Sequence, residues 1–258
     1  MPRRFLRLLG SVHLADSDGV TSTHRGRAAT VLSLLGMECG RVVSFDRLVE
    51  ELWGDEAPPS ARSTVYALVS RLRAQLRGSD VRIVATAAGY VLEAPPGTVD
   101  ALELVDLVAG AEEAAAARDP HQVLARSAAA RALWRGEPFT DAVVRDVLGN
   151  DARKLTDLVD RADELSAEAL LAVGRGVEAG RLAGGLLERD RFNESYWRLR
   201  MRAEHASGRT AAALDTFAEL RRLLVDELGI EPSASLSALQ VDILRSGDGG
   251  EWPTGSRS

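Results

Sequence analysis

The chain has 258 residues, 45% of them apolar and 27% charged, the balance of a globular protein with one large domain or two modest ones. Its net charge of −6 sets 38 acids against 31 arginines and one lysine, Lys154, and no apolar run reaches the ~18 residues of a membrane-spanning helix. The single cysteine, Cys39, excludes an internal disulfide and, beside an apolar run, reads as a buried structural thiol. The opening "MPRRFLRLLGSVHLAD" puts arginines ahead of apolar residues, as a secretory signal does. Arg7 and His13 interrupt the apolar part, so the expectation is a cytoplasmic protein.

Residues 5–14 alternate as a strand does, and "DSDG" at 16–19 predicts a turn into a second strand at 20–23. "RAATVLSLLGM" (27–37) reads as a helix broken by "CGR". Ser44 is an N-cap for a second helix, 45–53, whose Phe45, Leu48, Val49 and Leu52 share one face. The paired prolines of "GDEAPPS" end it. Ser60 is placed to cap a third helix over 61–77. "VRIVATAAGYVLE" then folds back near Ala87–Gly89 as two short strands.

Beyond residue 100 the pattern is helix upon helix, near 101–117, 121–134, 151–173, 175–189, 193–207, 210–228 and 233–245. Gly174-Arg175 and Gly208-Arg209 lie 34 residues apart, the period of tetratricopeptide helical pairs. Trp197, Ala213 and Phe217 fall where that repeat packs its large and small residues. Asp163 stands where the first copy needs a counterpart of Trp197, and a helical bundle without repeats is the alternative. Residues 247–258, polar and rich in glycine, are expected to be a disordered tail.

Charge is distributed unevenly. The first hundred residues balance at +1 and the remainder at −7, yet "SARSTVYALVSRLRAQLRGSDVRIVATAAGYVLE" (60–93) collects Arg62, Arg71, Arg73, Arg77 and Arg82. On a wheel of 3.6 residues per turn, Val65, Leu68, Val69, Leu72 and Leu76 share one arc. Ser63, Ala67, Ser70, Arg71 and Ala74 take the opposite arc, with Tyr66, Arg73 and Arg77 on one flank and Thr64 on the other. Small residues let a helix enter a groove, and arginines reach phosphates or the guanine edge. Strands, three helices and a terminal hairpin follow the winged helix-turn-helix plan.

The stretch "SFDRLVEELWGDEAPPSARSTVYALVSRLRAQL…GYVLE" resembles the OmpR-like winged-helix domain of the Streptomyces antibiotic regulatory protein family. "ALWRGEPF" (132–139), "GRTAAALDTFAELRRLL" and "DELGIEPSASLSALQ" (226–240) resemble its bacterial transcriptional activator domain. The resemblance covers about residues 5–246. It implies a mainly α protein with a small β component: a winged helix-turn-helix domain over 1–97, then an all-α tetratricopeptide-like domain over 98–246. It also implies that helix 61–77, through Arg62, Ser63, Thr64, Tyr66, Ser70, Arg71, Arg73 and Arg77, enters the major groove. Arg82, Thr86 and Tyr90 of the hairpin would then touch the backbone or minor groove. Members of the family often carry a Lys/Gln/Arg cluster at the first helix, where this chain has "RGRAATVL". Phosphate contacts there fall to Arg25 and Arg27, because Ala28 and Ala29 take two of the places. The expected partners are promoter DNA bearing direct repeats, RNA polymerase holoenzyme and further copies of the chain. The role implied is activation of secondary-metabolite genes, with Asp55 and Glu56 of "WGDEAPPS" as polymerase contacts or as plain solvated turn residues.

Three other readings stand beside it. "GRGVEAG" (174–180) has glycines like those of a dinucleotide loop, but helices flank it and no strand precedes it. His13, His24, His121 and His205 lack metal-ligand spacing, and no nucleophile with its base can be picked out, so neither catalysis nor a cofactor is expected. A helical scaffold without DNA binding would not need the arginine arc. Repression differs from activation in nothing that a groove-reading helix displays.

Overall fold

A three-stranded antiparallel sheet opens the chain in place of the one long strand expected over 5–14. In the computed structural model, which describes residues 4–16 and 21–247, β1 (Arg4–Arg7) turns back into β2 (His13–Asp16), and β3 (Thr21–Thr23) pairs with β2. Gly10 is the cause of the early reversal. Its φ of +119° is open to glycine and strained for other residues. The expected turn at 16–19 falls, apart from Asp16, outside the described residues, as does the tail beyond Gly247.

Helix α1 (Gly26–Met37) follows, with Val31, Leu32, Leu34 and Leu35 buried. Ala29 is buried too, so one of the two alanines in the place of the family's polar cluster belongs to the core. A short β4 (Val43–Ser44), unforeseen in the sequence, leads into α2 (Phe45–Trp53). The Ser44 hydroxyl accepts the Arg47 amide at 3.1 Å, as its N-cap position demands. After a 3₁₀ turn at Gly54–Glu56, α3 runs over Ala61–Gln75 and packs against α1, α2 and β5. The helix thus ends two residues before the expected 77, where Leu76 caps it and Gly78 turns the chain at φ +76°. Nor does the Ser60 side chain cap it; the Ser60 carbonyl instead accepts from the Ser63 and Thr64 hydroxyls. Strands β5 (Arg82–Ala85) and β6 (Gly89–Glu93) form the wing, and β4 adds to β6 in the order β4-β6-β5.

The remaining helices are α4 (Asp100–Ala116), α5 (Pro120–Leu133), α6 (Ala142–Ala172), α7 (Gly176–Arg189), α8 (Glu194–Ala206), α9 (Thr210–Leu228) and α10 (Ala234–Gly247). Helix α6 starts nine residues before the expected 151, because "AVVRDVLGN" continues it through a kink at Leu148, whose φ and ψ leave the helical region. The chain divides into two compact units. One is Met1–Ala109 with Ala129–Val159, and the other is Gly110–Ala128 with Asp160–Ser258.

A buried carboxylate organises the first unit. Asp100, 3% exposed, accepts the Leu8 amide at 2.7 Å and the Leu9 amide at 3.2 Å, and pairs with the Arg135 guanidinium. Arg135 belongs to "ALWRGEPF", whose next residues continue the attachment. The Phe139 amide donates to Leu8 O and the Thr140 amide to Gly10 O, both at 3.2 Å. Asp141 then accepts the Gly26 amide at 3.0 Å, at the start of α1, and with its other oxygen accepts the Val143 amide at 3.0 Å, at the start of α6. That motif is therefore a strap over the β1–β2 turn.

In the second unit Trp197, Met201, Phe217, Leu220 and Leu224 form the core with Ala179, Ala183 and Ala213. The 34-residue interval is visible in the backbone. Gly174 and Gly208 both take φ +75°, and the amides of Arg175 and Arg209 donate to carbonyls five residues back, at 2.8 and 2.9 Å. Asp163, at the position matching Trp197, is buried and takes the Arg189 guanidinium at 2.8 Å. An ion pair fills the place of an indole. Among the described residues no helix is long and apolar enough to cross a membrane, and no group of His, Cys, Asp and Glu could hold a metal ion.

Two measurements check the first unit. Replacing Asp100 by Ala leaves two buried amides and Arg135 without their acceptor, a loss of about 3 kcal/mol or more in unfolding free energy. Asp100→Asn, which keeps one acceptor oxygen, recovers part of it. An unchanged denaturant midpoint in Asp100→Ala refutes the strap. His24 is buried, and burial followed by the nearness of His13 holds its imidazole below the ordinary 6.5. The unfolded chain is therefore protonated first. The contribution of His24 is complete above pH 6.5 and is lost as pH falls through the folded-state value. His24→Gln flattens this acid-side slope of stability against pH.

Candidate nucleic-acid interface

Helix α3 is divided lengthwise. Ala61, Val65, Leu68, Val69 and Leu72 are buried, with Leu76 just past the end, while Arg62, Ser63, Tyr66, Ala67, Ser70, Arg71 and Ala74 are exposed. Each large apolar side chain taken from water contributes about 1.5–3 kcal/mol. Rotating the helix to bury the arginines instead would forfeit that and strand charge in the core. The buried stripe therefore fixes which residues face outward.

The outward residues differ in how free they are. The Arg71 Nε donates to the Ala67 carbonyl of its own helix, at 3.3 Å. Arg62 stacks over the Phe45 ring, 4.8 Å from its centroid, and lies 3.5 Å from Asp46. Tyr66 is 55% exposed and packs on the same Phe45 ring, their centroids 5.3 Å apart. Ser63 and Thr64 commit their hydroxyl hydrogens to Ser60 O at 2.8 and 3.0 Å, so toward a ligand they present lone pairs. Ser70 is simply exposed, and Arg77, beyond the helix end, is exposed as well.

Arg73 and Tyr90 belong to the scaffold of this surface. Arg73 Nε donates to Ile83 O at 2.7 Å, joining the helix to the wing, and its guanidinium lies 5.6 Å from the centroid of the Tyr90 ring. Tyr90 is only 5% exposed, and that burial keeps its ring from the groove contact expected of it. Ser79 reinforces the joint, its buried hydroxyl set against the carbonyls of Leu76 and Val81 at 2.8 and 3.0 Å. A groove of about 700 Å³ opens here, bordered by Arg73, Arg77, Arg82 and Pro95.

In the wing, Arg82 is well exposed and lies 3.6 Å from Glu93, its cross-strand partner. Thr86 is exposed, but its hydroxyl serves the turn, accepting the Ala88 and Gly89 amides at 3.3 and 3.1 Å. Gly89 meets the β4 backbone so closely that an added Cβ would lie 2.0 Å from Val43 O. Only glycine lets the wing seat there. Elsewhere, Arg25 is exposed at the start of α1 and Arg27 stacks 4.7 Å from the Trp53 ring. Asp55 and Glu56 are exposed in the turn between α2 and α3.

Three groups escaped the sequence reading: Phe45, Asp46 and Glu93. Periodicity places Phe45 on the apolar face of α2, and only the packing shows its partly buried ring in contact with Arg62 and Tyr66. Nothing in the local sequence of Asp46 or Glu93 reveals which arginine each one meets, because both pairings are made across elements.

The family models divide the chain in the same order. "Transcriptional regulatory protein, C terminal" matches residues 22–92, and "bacterial transcriptional activator domain" matches 99–244. Regulatory protein DnrI of Streptomyces peucetius is 32% identical over 256 residues, covering 95% of this chain and 93% of DnrI. Transcriptional regulator RedD of Streptomyces coelicolor is 29% identical across 93% of the chain and 70% of RedD. The solved structure of Mycobacterium tuberculosis EmbR, in complex with a low affinity phosphopeptide, has a TM-score of 0.86 at 30% identity. It is matched over 95% of this chain and 66% of the EmbR chain. With the winged-helix and activator domains both matched, and relatives aligned along nearly all of its length, the chain belongs to the Streptomyces antibiotic regulatory protein family of DNA-binding transcriptional regulators.

Proposed function

We propose that this protein is a sequence-specific transcriptional activator that binds direct repeats upstream of promoters and recruits RNA polymerase, for genes of secondary metabolism. The observation that carries the reading is the exposed face of α3, where Arg62, Tyr66, Ser70 and Arg71 stand outward over a buried apolar stripe. In the major groove Arg71 and Arg62 are the donors suited to guanine O6 and N7 or to phosphate. Tyr66 and the alanines offer apolar contact to thymine methyls. Arg77 and Arg82 border the groove beside the wing and supply backbone contacts, while Arg25 and Arg27 reach phosphate from the start of α1.

In this reading residues 1–97 form the DNA-binding domain and 98–246 the activator domain, and the protein works in the cytoplasm. One monomer offers few arginines to DNA. Neighbouring copies on adjacent repeats therefore raise occupancy, because affinity grows with each phosphate neutralised. Asp55 and Glu56, held outward by the 3₁₀ turn, are the residues offered to polymerase.

Footprinting upstream of neighbouring genes, with and without RNA polymerase, tests this. Two adjacent repeats become protected together, and polymerase extends the protection. Arg71→Ala lowers affinity for the repeats by about tenfold, the worth of one good base contact. Arg73→Ala lowers thermal stability as well, since it cuts the tie between helix and wing. Protection of a single half-site at saturation contradicts cooperative assembly. A reporter whose output rises when the gene is deleted makes the protein a repressor.

A further inference from the structure

Two of the arginines offered to DNA carry an acid each. At one end of the surface, Arg62 lies 3.5 Å from Asp46, their side chains 68% and 91% exposed. At the other, Arg82 lies 3.6 Å from Glu93, their side chains 72% and 50% exposed. Between them, Arg71 meets no acid within salt-bridge distance among the described residues, and its Nε donates to its own helix backbone at Ala67 O.

Exposed pairs of this kind add little to stability, because solvent screens them and both long side chains lose freedom in holding them. Asp46 does sit in the first turn of α2, where a negative charge interacts favourably with the helix dipole. Helix support gives no reason for the acid to lie against Arg62. For Glu93, opposite Arg82 on the neighbouring strand, no helix end is involved. The shared consequence of both placements is electrostatic. Each carboxylate competes with phosphate for a guanidinium that faces the duplex.

We infer that Asp46 and Glu93 are specificity-determining residues, acting as resident anions that weaken phosphate-only binding of Arg62 and Arg82 to random DNA. Binding to random sequence rests on phosphate neutralisation, so it bears the full cost of displacing or repelling a carboxylate. A cognate site adds base contacts through Arg71 and its neighbours, which offset that cost. Discrimination then comes from an unfavourable element as much as from a favourable one.

The inference rests on α3 and the wing being the DNA-binding surface, and the test separates the two claims. Affinity for a random-sequence duplex is measured by fluorescence anisotropy over a series of KCl concentrations. The variants are Asp46→Asn, Glu93→Gln, Arg71→Ala and Asp106→Asn, the last removing an exposed acid carried by α4. Duplexes selected from a randomised pool by the unaltered protein serve as the specific probe.

Asp46→Asn and Glu93→Gln each tighten random-duplex binding about threefold, and each steepens the salt slope by up to about 0.9, one further phosphate contact. The ratio of selected to random affinity falls in both, while Asp106→Asn matches the parent. If Asp46→Asn and Glu93→Gln change random binding no more than Asp106→Asn does, while Arg71→Ala weakens it, the resident-anion role is wrong and the surface stands. If Arg71→Ala also binds both probes like the parent, the surface assignment fails, and the inference with it. Circular dichroism melts of each variant confirm that the folded protein is being compared.

Discussion

The apolar stripe of α3 is the constraint on which the exposed basic surface depends. Val65, Leu68, Val69 and Leu72 are held in the core of the first unit, against α1, α2 and β5. Their burial leaves one rotational setting for the helix, and that setting turns Arg62, Tyr66, Ser70 and Arg71 to solvent. The positive face is thus a by-product of hydrophobic packing on the other side. Arg73 then couples the setting of the helix to that of the wing, through Ile83 O and the Tyr90 ring, so the two parts of the surface share one frame.

A second constraint lies away from that face, in the attachment of "ALWRGEPF" to the opening hairpin. The Asp100 carboxylate, buried and occupied by two amides and Arg135, gives the arginine of this loop-like motif a fixed structural task. Arg135, Phe139 and Asp141 each meet a different part of the β1–β2 turn or the start of α1, directly or through Asp100. A buried carboxylate is tolerable only when its hydrogen bonds are complete, which ties the identities of these residues to one another.

The second unit shows how a repeat tolerates a departure from its pattern. Asp163 in the place of an aromatic would be costly alone, but Arg189 reaches it from the end of α7. Glu168 and Arg202, themselves 34 residues apart, pair with each other across the two copies. Backbone geometry at Gly174 and Gly208 keeps the period where the side chains have diverged, because a left-handed residue between two helices fixes the turn whatever packs around it.

Local rules made much of this legible. The buried arc of α3 is the one that periodicity assigns, α2 starts at its serine cap, and the wing turns where Ala87–Gly89 breaks the alternation. Local rules failed where a neighbour distant in sequence decides the outcome. Gly10 splits the first strand beneath a strap from residue 135 onward, β4 exists only because β6 offers it an edge, and α6 starts early because Val144 and Leu148 find a core. The sequence by itself determined which helix carries positive charge and which of its faces is apolar, since both follow from the order of residues along 3.6-residue turns. Only the tertiary structure decided which outward groups are free. Arg73 and Tyr90 are drawn into the joint, while Asp46 and Glu93 come to rest on Arg62 and Arg82, because ion pairs and ring contacts depend on distances that chain order does not encode.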